Sequence, residues 1–137
     1  MTYKFLSHTA DVKFVASGAT FEEMLKSAGK ALFESMRGNL KVEEKKEKSF
    51  NVFGEDYESL LYNFLEEFLF LIDAQDFLAS EIKEVKFDSK AMELKVKVLG
   101  DDASEYDFTN EVKAITFNDM YVKEINGSWE CQVVLDV

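Results

Sequence analysis

The chain opens on short alternating segments and then turns helical. Residues 3–6 (Tyr-Lys-Phe-Leu) read as a short strand, followed by the polar turn Ser7-His8-Thr9-Ala10-Asp11. Val12, Phe14 and Ala16 alternate with Lys13 and Ser17, a period of two that predicts a strand closing at Gly18. Thr20 followed by Glu23 has capping-box spacing. Phe21, Leu25, Ala28 and Leu32, with Met24 and Met36, then form a helical stripe to about Arg37, where Gly38-Asn39 supplies a stop. A strand is predicted near 48–53, after a charged stretch of mixed sign that reads as solvated strand or loop.

The second helix is the strongest signal. Glu55, Asp56 and Glu58 are expected to load its first turn with acid, which suits the positive end of the macrodipole. Tyr57, Leu60, Leu61, Phe64, Leu65, Phe68, Leu69 and Ile72 recur at helical spacing and mark a core face. Glu66, Glu67 and Asp73 fall on the outer face. Strands are then predicted over 82–87 and 93–98, with a loop at 101–107. Two more are predicted at Glu111–Phe117 and Asp119–Ile125, and a last one from Trp129 onward, entered through the hairpin signal Asn126-Gly127. The expected fold class is α+β: two helices packed on a largely antiparallel β-sheet, with residues 1–137 in a single domain.

Composition narrows the function. A length of 137 residues suits one compact core, and 47% hydrophobic content is too apolar for a disordered acidic tail. A net charge of −11 argues against direct nucleic-acid binding and against an anionic membrane surface. One cysteine cannot form an internal disulfide. The N-terminus has no apolar signal region and the longest apolar run, 68–72, is too short to span a bilayer, so a cytoplasmic protein is expected. The charge is uneven. Residues 51–80 contain seven acids and no Lys or Arg, and residues 101–137 contain nine acids against two bases. Such one-signed segments serve either solubility or the docking of a basic partner or cation.

Candidate chemistry is sparse. There is no glycine-rich phosphate loop, and one His with one Cys excludes a thiolate or multi-histidine zinc site. Cys131 lies on the apolar face of the last strand and reads as a buried, inert thiol. A Ser/His/Asp triad would need His8 as base, and the adjacent Ser7 is badly placed as nucleophile. Three features stay open. His8 and Asp11 sit in a polar turn, where the carboxylate serves either the local backbone or a ligand. Asp136 precedes Val137, whose α-carboxylate would add a second oxygen anion of the kind Mg²⁺ or Ca²⁺ takes, with Asp11 a further donor if the strands are neighbours. The alternative is a frayed strand end. Lys113, one of two bases in the acidic last third, is either a structural counter-ion or a functional cation.

These residues carry a family resemblance. His-Thr-Ala-Asp at 8–11, the acidic helix at 54–77, Glu-Val-Lys-Ala-Ile-Thr at 111–116 and the run from Trp129 to Leu-Asp-Val at 135–137 together resemble the archease family along the whole chain. The resemblance implies a non-catalytic protein cofactor of an RtcB-type RNA ligase, promoting guanylylation of the ligase histidine and multiple turnover in tRNA splicing. It also implies a divalent cation (Ca²⁺, or Mg²⁺/Mn²⁺) held by Asp11, Asp136 and the carboxylate of Val137. Lys113 and His8 are implied in activation. A chaperone-like modulator of a tRNA methyltransferase is the second role implied. The sequence departs from the family pattern at Ser7, at Tyr106–Asn110 and at Asn118, where the family carries an acid and histidines. These changes leave the carboxylates intact, put any role for a second histidine in doubt, and imply a partner surface tuned to a divergent ligase. A small metal-dependent hydrolase using Asp11, Asp136 and His8 is a third reading, weakened by the lack of a convincing general base.

Overall fold

The computed structural model describes residues 1–7 and 11–137. The elements in chain order are β1 (Thr2–Leu6), β2 (Val12–Gly18), α1 (Phe21–Arg37), β3 (Lys46–Phe53), α2 (Tyr57–Gln75), β4 (Phe77–Asp88) and β5 (Glu93–Asp102). A 3-10 turn at Ala103–Glu105 leads to β6 (Ala114–Ile125) and β7 (Ser128–Asp136). The fold is α+β and every strand pairing is antiparallel. The expected sheet is two sheets, however: a four-stranded one in the order β1-β2-β7-β6 and a three-stranded one in the order β3-β5-β4. Each helix contacts strands of both. No helix among the described residues is long and apolar enough to cross a membrane.

α1 starts at the expected Thr20 cap, whereas α2 starts at Tyr57, past the Glu55 and Asp56 expected in its first turn. At α1 the Thr20 hydroxyl accepts the Glu23 N–H (3.1 Å), and the Glu23 carboxylate reaches back to the Ala19 N–H (3.0 Å). Two otherwise orphaned donors are thereby satisfied. At α2 the cap is Asp56, whose carboxylate accepts the Ser59 N–H (2.7 Å) while the Ser59 hydroxyl accepts the Asp56 N–H (3.1 Å). Acid and hydroxyl have exchanged their usual capping-box positions. The Ser59 amide first, and then the Ser59 side chain, hold the Asp56 carboxyl below its ordinary pKa. Of the three acids expected in the first turn of α2, Glu58 alone lies there.

Because α1 meets both sheets, it buries more than one stripe: Met24, Leu25, Ala28, Ala31, Leu32 and Met36 are all inaccessible or nearly so. The predicted stripe of α2 is buried at Leu60, Leu61, Phe64, Leu65 and Phe68. Each such side chain contributes about 1.5–3 kcal/mol of transfer free energy. One aromatic cluster joins all four parts of the fold. Phe21 of α1 stands 5.2 Å from Tyr57 of α2, 4.7 Å from Phe87 of β4 and 5.2 Å from Trp129 of β7, between ring centroids.

Several strands differ from expectation. The strand predicted from Ile82 begins at Phe77, directly after the left-handed Asp76 (φ 52°) that ends α2. The stretch predicted as a loop at 101–107 begins inside β5 and then forms the 3-10 turn. The two strands predicted at Glu111–Phe117 and Asp119–Ile125 are one strand, β6, with a register shift between Thr116 and Tyr121 and a left-handed Asp119 (φ 54°) inside it. Glu111, Val112 and Lys113 precede that strand. The Asn126-Gly127 hairpin forms as read, with positive φ at both residues (53° and 83°), which a type I′ turn requires.

Candidate functional site

Strand order brings the predicted residues to one end of the four-stranded sheet. In the β2–β7 ladder Val12 stands opposite Leu135 as the last pair. Asp11 immediately precedes that pair and Asp136 immediately follows it. On the other side of β7, Ala114 of β6 stands opposite Asp136, and the Lys113 N–H donates to the Asp136 carbonyl at 2.8 Å. Asp11, Lys113, Asp136 and Val137 therefore belong to three adjacent chain segments. Asp136 and Lys113 are exposed, Asp11 is half-buried, and Val137 is exposed. His8 lies outside the described residues.

The alternation of β7 decides which way Asp136 faces. Cys131, Val133 and Leu135 are fully buried, so Gln132, Val134 and Asp136 turn to the opposite face. That face is organised by the shifted segment of β6. Lys13 pairs with the Asp119 carboxylate (3.5 Å), the Gln132 amide donates to the Asp119 carbonyl (2.8 Å), and the Thr116 hydroxyl donates to the Val134 carbonyl (2.9 Å). On the core side Phe117 stacks on Tyr62 of α2, with ring centroids 4.2 Å apart and planes at 6°. The Asp136 main chain thus sits in a ladder pinned on both faces.

A shallow cleft opens beside Asp11, walled by Phe5, Ser7, Lys13, Glu34 and Ser35. Glu34, in the last turns of α1, also accepts a bond from the Tyr3 hydroxyl (3.3 Å). Sequence reasoning missed this carboxylate, because nothing local in the sequence ties α1 to Asp11.

Among the described residues no three or more His, Cys, Asp or Glu side chains are grouped to hold a metal. Asp11 and Asp136 supply two carboxylates, and a cation there requires at least one further oxygen donor. All-oxygen donors of this sort fit a hard divalent cation and not a thiophilic one. Cys131 takes no part: it is fully buried, and burial pushes its thiol up to about 12, so almost no thiolate exists at neutral pH.

Comparison with known proteins gives one consistent result. The Archease protein family (MTH1598/TM1083) model matches residues 3–137. The protein archease of Pyrococcus abyssi is 37% identical, over 98% of this chain and 98% of its own. That of Methanosarcina mazei is 32% identical, over 98% and 95%. The solution structure of Methanobacterium thermoautotrophicum protein 1598 superposes with a TM-score of 0.84 at 35% identity, covering 98% of both chains. A Thermotoga maritima structure described as an archease and possible chaperone shares the fold, with a TM-score of 0.70 at 22% identity over 98% of this chain and 96% of that one.

Proposed function

The chain belongs to the archease family, and on that premise we propose that it is a non-catalytic activator of an RtcB-type RNA ligase, promoting guanylylation of the ligase histidine and repeated turnover in tRNA splicing. The observation that carries this reading is the β2–β7 register, which sets Asp11 and Asp136 beside the same terminal pair with Lys113 bonded to the Asp136 main chain. Asp11, Asp136 and the Val137 carboxylate hold a divalent cation, Ca²⁺ or Mg²⁺/Mn²⁺. When bound, the cation offsets the negative charge of this end and of a nucleotide phosphate brought near it. The Lys113 N–H bond to the Asp136 carbonyl ties the main chain that carries Asp136 to the segment entering β6. The exposed Lys113 ammonium contacts a phosphate or an acidic group on the ligase, and His8, three positions before Asp11 in the sequence, contributes to activation. The protein acts in the cytoplasm and reaches RNA through its partner, with no direct nucleic-acid contact of its own.

Ligase guanylylation with GTP and Mg²⁺ or Mn²⁺, measured with and without this protein, tests the reading. Acceleration is expected, and no effect on the cognate ligase would end it. Asp136→Ala, or one residue added after Val137, is expected to weaken divalent binding by more than about tenfold, or about 1.4 kcal/mol. Calorimetry showing unchanged affinity in both variants would remove the metal site.

A second reading, a chaperone-like modulator of a tRNA methyltransferase, is favoured by the Thermotoga description and by the acidic outer face of α2. Recovery of a methyltransferase and no ligase with the tagged chain would select it.

A further inference from the structure

The four sheet edges of this molecule are not alike. β4 carries two register shifts and β6 one, while β1 has five residues. Irregular or short edges resist pairing with other chains. β3 is regular over eight residues, pairs only with β5 among the described residues, and has no register shift. Its charges are confined to Lys46, Glu47 and Lys48, and Ser49–Phe53 are uncharged.

The direction of its main chain follows from two contacts. The Gly54 N–H donates to the Met92 carbonyl, toward β5 (3.3 Å), and the Asn63 amide on α2 donates to the Phe53 carbonyl (2.8 Å). Main-chain groups of alternate residues point to opposite sides of a strand. Val52 and Phe50 are therefore turned toward β5, and Phe53, Asn51 and Ser49 toward the open edge.

A groove flanks the end of that edge, at Asn51–Phe53, with α2 as its other wall. Asn51 and Phe53 face Asn63, Glu66, Glu67 and Phe70 across it, and it continues past Phe53 to Ser59. From Ser59 to Phe70 the helix advances about 16 Å, the length of about five extended residues. Phe53 and Phe70 are large apolar side chains 60% and 50% exposed. The other wall is one-signed: residues 51–80 hold seven acids and no Lys or Arg, and no ion pair reaches them among the described residues.

We infer that the open edge of β3 and the groove beside it form a strand-addition site for an extended, lysine- or arginine-bearing segment of a partner protein. Main-chain bonds to Ser49 and Asn51 supply affinity, and the side chains that alternate along the added strand supply selectivity. Cations on that segment meet Glu66 and Glu67 and the faces of Phe53 and Phe70. Burial and the neighbouring Glu66 hold the Glu67 carboxyl above its usual range, a strain that an incoming cation relieves. A second copy of this chain is a poor occupant, because it brings the same acids to the groove. The inference shares no residue with the carboxylate end and does not depend on the ligase reading.

The test is an NMR titration of the isotope-labelled full chain with a seven-residue peptide alternating lysine and valine, alongside its glutamate–valine counterpart. Saturable amide shifts confined to residues 49–53 and 59–70 are expected with the lysine peptide, together with slowed exchange at Ser49 and Asn51, and none with the glutamate peptide. The double variant Glu66→Gln/Glu67→Gln should weaken binding at least threefold, and Asn51→Pro, which deletes an outward N–H, should abolish it. If Asn51→Pro does not fold, Phe70→Ser gives the same reading, and unchanged affinity there overturns the site. Shifts elsewhere, equal binding of the glutamate peptide, or self-association that protects β3 without peptide also overturn it. Asp136→Ala should bind the peptide like the unaltered chain. Loss of binding in that variant would relocate the site to the carboxylate end and refute the inference.

Discussion

Residues 51–80 and residues 101–137 each carry a net charge of −7, yet their acids live differently. The later segment borrows partners. Lys46 reaches Asp102 (2.6 Å), Lys13 reaches Asp119 (3.5 Å), and Glu130 takes both Lys123 (3.7 Å) and the Tyr121 hydroxyl (2.7 Å). Asp101, nearly inaccessible, accepts the Asp102 N–H (2.8 Å) and the Tyr106 hydroxyl (2.8 Å). The acids of α2 either cap the helix, as Asp56 does, or stand outward without a cation among the described residues. Segment charge is thus a poor guide to local potential. Strands bring distant chain together and neutralise one another, whereas a helix keeps its outer face to itself.

The two faces of α2 should respond most unequally to substitution. Phe64→Ala should cost about 3–5 kcal/mol in chemical denaturation, while Glu66→Gln on the outer face should stay within about 0.5 kcal/mol. Comparable costs would mean that the acids are structural after all. The caps come next. Thr20→Ala should lower stability by about 1 kcal/mol, read as a shift of the urea midpoint at unchanged slope. Lys13→Ala, which frees Asp119, should cost less than about 1 kcal/mol and should broaden amide signals of residues 117–120.

Acid titration sharpens the contrast by sign. Hydrogen bonds depress the carboxyls of Asp56 and Asp101. The stability they contribute is present above the unfolded value of about 3.9 and is lost as pH falls through their lower folded values. The gap in urea midpoint between the unaltered chain and Asp101→Asn should therefore close progressively below about pH 4. Glu67 runs the other way. Its carboxyl is raised, by burial and then by Glu66, so ionising it opposes folding. Glu67→Gln should be marginally more stable than the unaltered chain at neutral pH, with the advantage shrinking as pH falls toward about 4. A growing advantage would contradict the assignment.

What the sequence made legible was local. The Thr20–Glu23 cap, the stripe of α2, the alternation of β2 and β7 and the Asn126-Gly127 turn each depend on residues within a few positions, and each formed. The division into two sheets depends on which strands meet, and no period encodes it. The shift in β6 was hidden for a related reason: Phe117-Asn118-Asp119 looks like a break between strands, whereas Gln132 and Lys13 hold it as an irregularity within one. Phe77 was missed because a left-handed Asp, not a glycine, ends α2. At the carboxylate end, the adjacency of Asp11 and Asp136 was conditional on β2 and β7 being neighbours, and the strand order supplies that condition. Glu34 had no sequence signal, since only tertiary packing brings it to the cleft.

The cluster of Phe21, Tyr57, Phe87 and Trp129 has a kinetic consequence. Its members are separated by 36, 30 and 42 residues of chain, so it closes only through long-range contacts that link both helices, β4 and β7. Trp129 is the sole tryptophan. Its emission therefore reports the closure of long-range contacts between the two sheets and their shared helices, not the formation of either helix alone.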